Sequence, residues 1–317
     1  MKYQPEKNLQ YKVGQKKADT VIYSQKDLYA PTESLRAYAE KENIPIVGVS
    51  GRDLDQVIEL QKAFTSQFPE FFSLLMFDAL IGAVGTEIWL KKDDGAYELD
   101  EEYRHILRDT YGFKREKIYP LCTQFIEQMK NEHSSAHVRF QQRDMEITST
   151  EEHKKQEFKI SMEFEAQLPQ AKIIQQAGKK FFNEQGYPNV KIVLSYQTTI
   201  DESLERYNLD ILPCGKKEAV EYLSKKYPMN PIIAGDSGND LDMLLIPEGL
   251  SIVVGNAKKE LLEELSHYSS KKVYSHFIQL QLDTSHTKLF YFAPPEEIGP
   301  AAVLQGMKLY RNTKLKK

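Results

Sequence analysis

What most narrows the folds open to this chain is a change of rhythm, with one strand–helix alternation at both ends and a different one in the middle. On the N-terminal side, ADTVIYS reads as a buried strand, PTESLRAYAEKEN as a helix capped by Thr32, and IPIVGVSGR as a second short strand. DLDQVIELQKAFTSQF follows as a helix with Asp53 at its cap and Val57, Leu60, Ala63 and Phe64 along one face. FDALIGAVGTEIWL supplies a third apolar strand with a glycine-rich continuation. The same pattern resumes late in the chain, through GKKEAVEYLSKKY (helix), NPIIAGDSGND (strand and loop), LDMLLI (helix), LSIVVGNA (strand) and KKELLEEL (helix). Between these halves, KISMEFEA alternates at period two, VKIVLSY reads as another strand, and QAKIIQQAGKKFFNEQG is a helix closed by Gly186. Short unbroken apolar strands suit a parallel sheet covered on both faces, whereas period two suits an antiparallel sheet with one face in water. The expected architecture is α/β: a parallel-sheet core flanked by helices, built from residues 1–94 and 206–317, with an α+β domain inserted at 95–205. A length of 317 residues accommodates two units of about 150 residues each.

Composition removes several functions. A net charge of −4 leaves no basic field for a nucleic acid backbone. The longest apolar run, Phe71 to Val84, is interrupted by Ser73 and Asp78 and is shorter than the ~18–20 residues of a bilayer span. The polar N-terminus has no apolar signal region, and two cysteines, Cys122 and Cys214, make no disulfide framework, so a reducing cytoplasm is expected. Residues 306–317 carry five positive charges, read as a solvated tail, with an anchor for an anionic surface as the alternative. The seven histidines lack metal-ligand spacing, and no Gly-x-Ser-x-Gly, Walker A or Gly-x-Gly-x-x-Gly motif is present.

The strongest chemical signal is IIAGDSGNDLDML, residues 232 to 244. An apolar strand delivers Asp236 to the carboxyl edge of a parallel sheet, where open α/β proteins bind ligands. Asp240 brings a second carboxylate four residues later, and two carboxylates held together need a cation; hard oxygen ligands with room for water suit Mg²⁺. The plainer reading is that both residues only cap a helix and fill a turn.

GDSGND with its hydrophobic helix, followed by IVVGNAKKELLEEL, resembles the fourth motif and downstream strand of haloacid dehalogenase (HAD) superfamily phosphatases. VGTEIW (84–89), FKIS (158–161), LDILPCGKKEAVEYL (209–223), GDSGNDLDML (235–244), VVGNAKKELL (253–262) and GPAAVLQGMKLY (299–310) sharpen the likeness to the sucrose-phosphate phosphatase-like branch. The resemblance implies a HAD-like Rossmannoid core with a C2-type cap and a Mg²⁺-dependent phosphatase acting on a sugar phosphate. It assigns Ser50 of VGVSGR, with Gly51 behind it, to a phosphate oxygen, and Lys216 to neutralising the phosphate. Lys159 falls where the cap reaches its substrate, and Asp236 and Asp240 where the metal is held. Ser50 as a turn serine, Lys216 as a surface lysine and Lys159 as a solvated strand lysine are the plainer alternatives.

The first motif departs from the family. Its Asp-x-Asp attacks phosphorus with one carboxylate and protonates the leaving oxygen with the other. Here the stretch is VIYSQKDLYAP: one register places Gln25 at the nucleophile and Asp27 at the acid/base position, and the other places Ser24 and Lys26 there. Neither register retains an attacking aspartate. An amide cannot form the acyl phosphate, and loss of a covalent nucleophile elsewhere costs ~10⁴–10⁶ in turnover. The sequence therefore supports two expectations: a phosphatase, or a catalytically impaired descendant that binds a sugar phosphate or a protein partner.

Overall fold

A computed structural model describes residues 10–13, 21–67, 77–133, 138–140, 156–199, 204–274 and 276–313, with the backbone alone at 10–13, 21–29, 63–67, 133, 138–140 and 197–199. Strands β1 (Gln10–Val13) and β2 (Val21–Ser24) pair antiparallel, with Gln10 opposite Ser24. Helix α1 (Gln25–Lys41) follows β2 directly. Then come β3 (Val47–Val49), α2 (Leu54–Gln67), β4 (Ala79–Gly82), β5 (Glu87–Lys91) and β6 (Tyr97–Leu99). Strands β3 to β6 form one sheet in that order, with β3 and β4 parallel and the other pairs antiparallel.

Two expectations change here. Helix α1 starts at Gln25 rather than after a Thr32 cap and runs through Pro31. The hydrogen bond that Pro31 cannot donate is offset by packing, since Ala39 is buried and the helix rests on the last helix of the chain. VGTEIWL, read as a continuation of the third strand, instead turns back as β5. The Asp53 cap of α2 does form, its Oδ1 accepting from the Gln56 amide at 2.9 Å while Gln56 Oε1 accepts from the Asp53 amide at 3.2 Å.

The middle of the chain holds α3 (Glu101–His105), α4 (Arg115–His133), β7 (Val138–Phe140), β8 (Ile160–Ala166), α5 (Leu168–Glu184), β9 (Lys191–Thr199) and β10 (Glu205–Leu212). The strands make an antiparallel sheet in the order β7-β8-β10-β9. This sheet extends to Leu212, past the boundary drawn at 205. Helices α4 and α5 cover its apolar face, with the Phe125 ring 5.4 Å from Phe181 and 6.4 Å from Phe182. The polar face, expected in water, is largely buried: Ser161, Glu165 and Asp210 are each under a tenth exposed. They escape the desolvation penalty through partners, Ser161 Oγ donating to Asp210 Oδ1 at 2.6 Å and Arg206 to Glu165 at 2.9 Å.

The last part runs α6 (Lys216–Lys226), β11 (Ile232–Gly235), α7 (Leu241–Leu244), β12 (Leu250–Val253), α8 (Lys259–Ser266), β13 (Ser270–Val273), β14 (Ile278–Gln281), β15 (Thr287–Phe292) and α9 (Gly299–Asn312). Its sheet has the order β11-β12-β15-β14-β13, with β11, β12 and β15 parallel. The fold is thus mixed α/β, its parallel strands shared between two helix-flanked sheets. Strand β2 joins neither: it pairs with β1, its near neighbour in sequence, whereas a parallel place needs a crossover. The basic C-terminal segment is also not a free tail as far as Asn312. It lies in α9, where the Lys308 ammonium sits 6.0 Å over the Tyr38 ring and Arg311 pairs with Glu42.

Candidate functional site

Strand β11 ends at Gly235, and the chain turns sharply so that Asp240 folds back beneath Asp236. A Cβ on Gly235 would lie 2.7 Å from Asp240 Cβ, so the turn closes only around a glycine. Asp240 Oδ2 accepts from the amides of Asp236 and Ser237 at 3.0 and 3.2 Å, while Oδ1 takes the Lys216 ammonium at 2.6 Å. Lys216 opens α6 and is only 6% exposed; its Nζ also donates to Asn239 Oδ1 at 3.0 Å. Asp236 opens to solvent on one side, yet desolvation by the surrounding chain and the Asp240 charge raise its carboxyl pKa, opposed by Lys258 and Lys216. Asp240 suffers burial too, but the Lys216 ammonium overcomes it and holds that carboxyl below its ordinary range. The two carboxylates and Lys216 are brought together as one cluster.

Ser50 leaves the end of β3 with its amide donating to Ile81 O at 2.8 Å, and its Oγ accepts from the Arg52 amide at 3.0 Å, which leaves the hydroxyl proton for another acceptor. The turn after β4 lies against this loop, the Val84 amide donating to Ser50 O at 3.1 Å. In that turn Ala83, Val84 and Gly85 have φ of 47°, 62° and 102°. A β-branched residue at positive φ is a strained one, held here by its surroundings. On its other side the turn meets the start of α6: a Cβ on Gly85 would fall 2.4 Å from the Gly215 carbonyl carbon. Tyr103 Oη and Cys214 Sγ both donate to Gly85 O, at 2.8 and 3.4 Å. Burial pushes the Cys214 thiol up to about 12, so it serves as packing. The Ser50 loop and the Lys216 cluster, on separate sheets, are thereby joined through one turn.

Residues of the antiparallel sheet and of the segment just before it touch both. Lys159 Nζ donates to Gly51 O at 3.2 Å and stands 3.7 Å from Asp210 Oδ1. Gln156 Nε2 donates to Asp53 Oδ2 at 2.7 Å, and Asn239 Nδ2 to Ser195 Oγ of β9 at 3.4 Å. The Lys258 ammonium lies 5.0 Å over the Tyr196 ring, and its amide donates to Asp236 O at 2.7 Å. Arg104 and Arg108 both hold Glu157, at 2.5 and 2.8 Å, which fixes the segment leading to Lys159. Asp210, Gln156 and Lys258 carried no assignment in the sequence. Lys258 lies within the quoted VVGNAKKELL, but nothing in local spacing couples it to Tyr196.

Ser24 ends β2, and Gln25 and Asp27 lie in the first turn of α1; their side chains fall outside the described atoms. For the expected Mg²⁺, the described side chains offer few donors. Both oxygens of Asp240 are engaged by Lys216 and backbone amides, leaving Asp236 as the open carboxylate of the pair. No cluster of three or more His, Cys, Asp or Glu side chains suited to a metal occurs among the described residues. Mg²⁺ fills most of its six-oxygen shell with waters and is anchored by one or two carboxylates, of which the described cluster leaves one open.

Parallel strands whose following loops carry Ser50 and the Asp236–Asp240–Lys216 cluster fit the α/β fold of haloacid dehalogenase-type hydrolases. Residues 19–277 match the family described as Sucrose-6F-phosphate phosphohydrolase, and the chain belongs to that family. Sucrose-phosphatase 2 of Nicotiana tabacum is 36% identical over 126 residues, 37% of this chain and 27% of that protein. A putative HAD-like hydrolase of Nitrosococcus oceani is 26% identical over 236 residues, 73% of this chain and 54% of that protein. The chain thus spans between about a quarter and a half of the length of these relatives. Among solved structures, a haloacid dehalogenase-like hydrolase of Bacillus subtilis is similar at 19% identity and a TM-score of 0.40, over 76% of this chain and 77% of that one. No helix among the described residues is long and apolar enough to cross a membrane.

Proposed function

We propose that the protein binds a phosphorylated sugar between the antiparallel sheet and the loops that follow β3 and β11, and hydrolyses it slowly at best. In this reading the phosphoryl group meets Ser50, Gly51 and Lys216, and the sugar meets Lys159. The observation that supports it is the hydrogen bond from Lys159 Nζ, just ahead of β8, to the carbonyl of Gly51 in the loop assigned to phosphate. Slow turnover follows from the first motif. Neither Gln25 nor Ser24 forms the acyl phosphate, and a Mg²⁺ ion would find Asp236 as its one open carboxylate in the described cluster. Asp27 remains as a base for a water, a route without the covalent step. Two free, buried thiols suit a reducing, cytoplasmic setting.

The test is binding and phosphate release measured side by side on a panel of sugar phosphates, with and without Mg²⁺, beside an Asp236→Asn variant purified identically. Binding with no release above the variant is the expected result. Release that disappears in D236N would establish a working hydrolase with another attacking group.

A further inference from the structure

Two carboxylates four residues apart repel each other, and a divalent cation is one remedy. The structure contains another. Lys216 Nζ lies 2.6 Å from Asp240 Oδ1 in a site where both residues are almost fully buried. Lys258 also borders the pair: its amide is bonded to Asp236 O at 2.7 Å, and its ammonium stands over the Tyr196 ring at 5.0 Å. Asp236 and Asp240 against Lys216 and Lys258 sum to zero charge before anything binds. A dication placed among them would meet the Lys216 ammonium at close range, where like charges repel strongly in a water-poor site.

The donors left over are those an oxyanion accepts. A lysine has three N–H groups. Lys216 uses two of them, on Asp240 and Asn239, and keeps one. Lys258, among the described residues, has a ring face and a carboxylate charge for neighbours, so its N–H groups remain available.

We propose that Lys216 and Lys258 stand in for a divalent cation, so that this pocket takes up phosphate or a phosphomonoester without metal. The proposal rests on the phosphate-site reading above and adds Lys258 to it as a ligand-contacting residue.

Calorimetric titration of the full chain with inorganic phosphate and with glucose 6-phosphate, once in EDTA and once in Mg²⁺, tests it. Lys258→Gln is carried in parallel, its folding checked by circular dichroism. The expected result is equal affinity in the two buffers for the wild type. K258Q should bind about tenfold more weakly in both buffers, the worth of one charge-assisted contact. Wild-type binding only in Mg²⁺, or K258Q matching the wild type in EDTA, would overturn the metal-free pocket while leaving the phosphate site standing. No binding in either buffer would overturn both readings.

Discussion

Lys216 is the residue whose loss the site tolerates least. It is 6% exposed and bonded to an equally buried Asp240, so Lys216→Met leaves a carboxylate without its counter-ion. The expected cost is about 3–5 kcal/mol in urea unfolding, together with loss of phosphate binding. Asp240→Asn in the same background should recover much of that stability without restoring binding, which separates the two effects. Asp236 and Asp240 stood out in the sequence because an apolar strand ends there in a glycine-punctuated turn, whereas Ser50 and Lys216 were reached through the resemblance to the family's second and third motifs. Asp210 and Lys258 were not legible there, because their significance is in contacts with Lys159 and Tyr196, 51 and 62 residues away, which no local pattern encodes.

Among the elements, the turn of residues 83–85 controls the site although it contributes no side chain to the charged cluster. Gly85 at φ 102° sits against the Gly215 backbone. Gly85→Ala would be strained twice, by its φ and by collision with main chain that cannot rotate away. The expected outcome is a loss of about 3 kcal/mol or more in thermal unfolding, with weakened binding because Lys216 moves with Gly215. Gly215→Ala, whose Cβ would meet only the tips of Glu218 and Lys191 at 3.6 Å and beyond, should be far milder. Helices α2, α5, α6 and α8 and strands β11 and β12 were readable because apolar pattern and length agreed. The start of α1 was misread because Pro31 resembles a boundary and packing on α9 overrides it. The buried polar face of β8 was misread because period-two alternation is the same whether its polar side meets water or another domain.

Across the whole molecule, pH acts through a residue far from the site. Lys288 on β15 is fully buried, donates to the Glu248 carbonyl, and is pulled down to about 7 by desolvation, with the Glu248 charge opposing. An unfolded lysine titrates near ~10.4, so between about pH 7 and 10 the unfolded chain holds the extra proton and stability rises with pH. Below about pH 7 both states are charged and the burial penalty is present in full. Lys288→Met should therefore be the more stable protein at pH 7, and its denaturation midpoint should lack a rise worth about 2 kcal/mol between pH 7 and 9.

The meeting of Gly85 and Gly215 has a consequence for descent. Most contacts between parts of a protein absorb substitution by changing rotamers, so a lineage can rebuild them by small steps. A joint made of two bare backbones has no rotamers to change. A chain that keeps it keeps the two halves of the pocket in register, whatever happens to the chemistry beside it. Loss of a nucleophile in such a lineage removes a reaction and leaves a binding cleft intact, available for selection to use again.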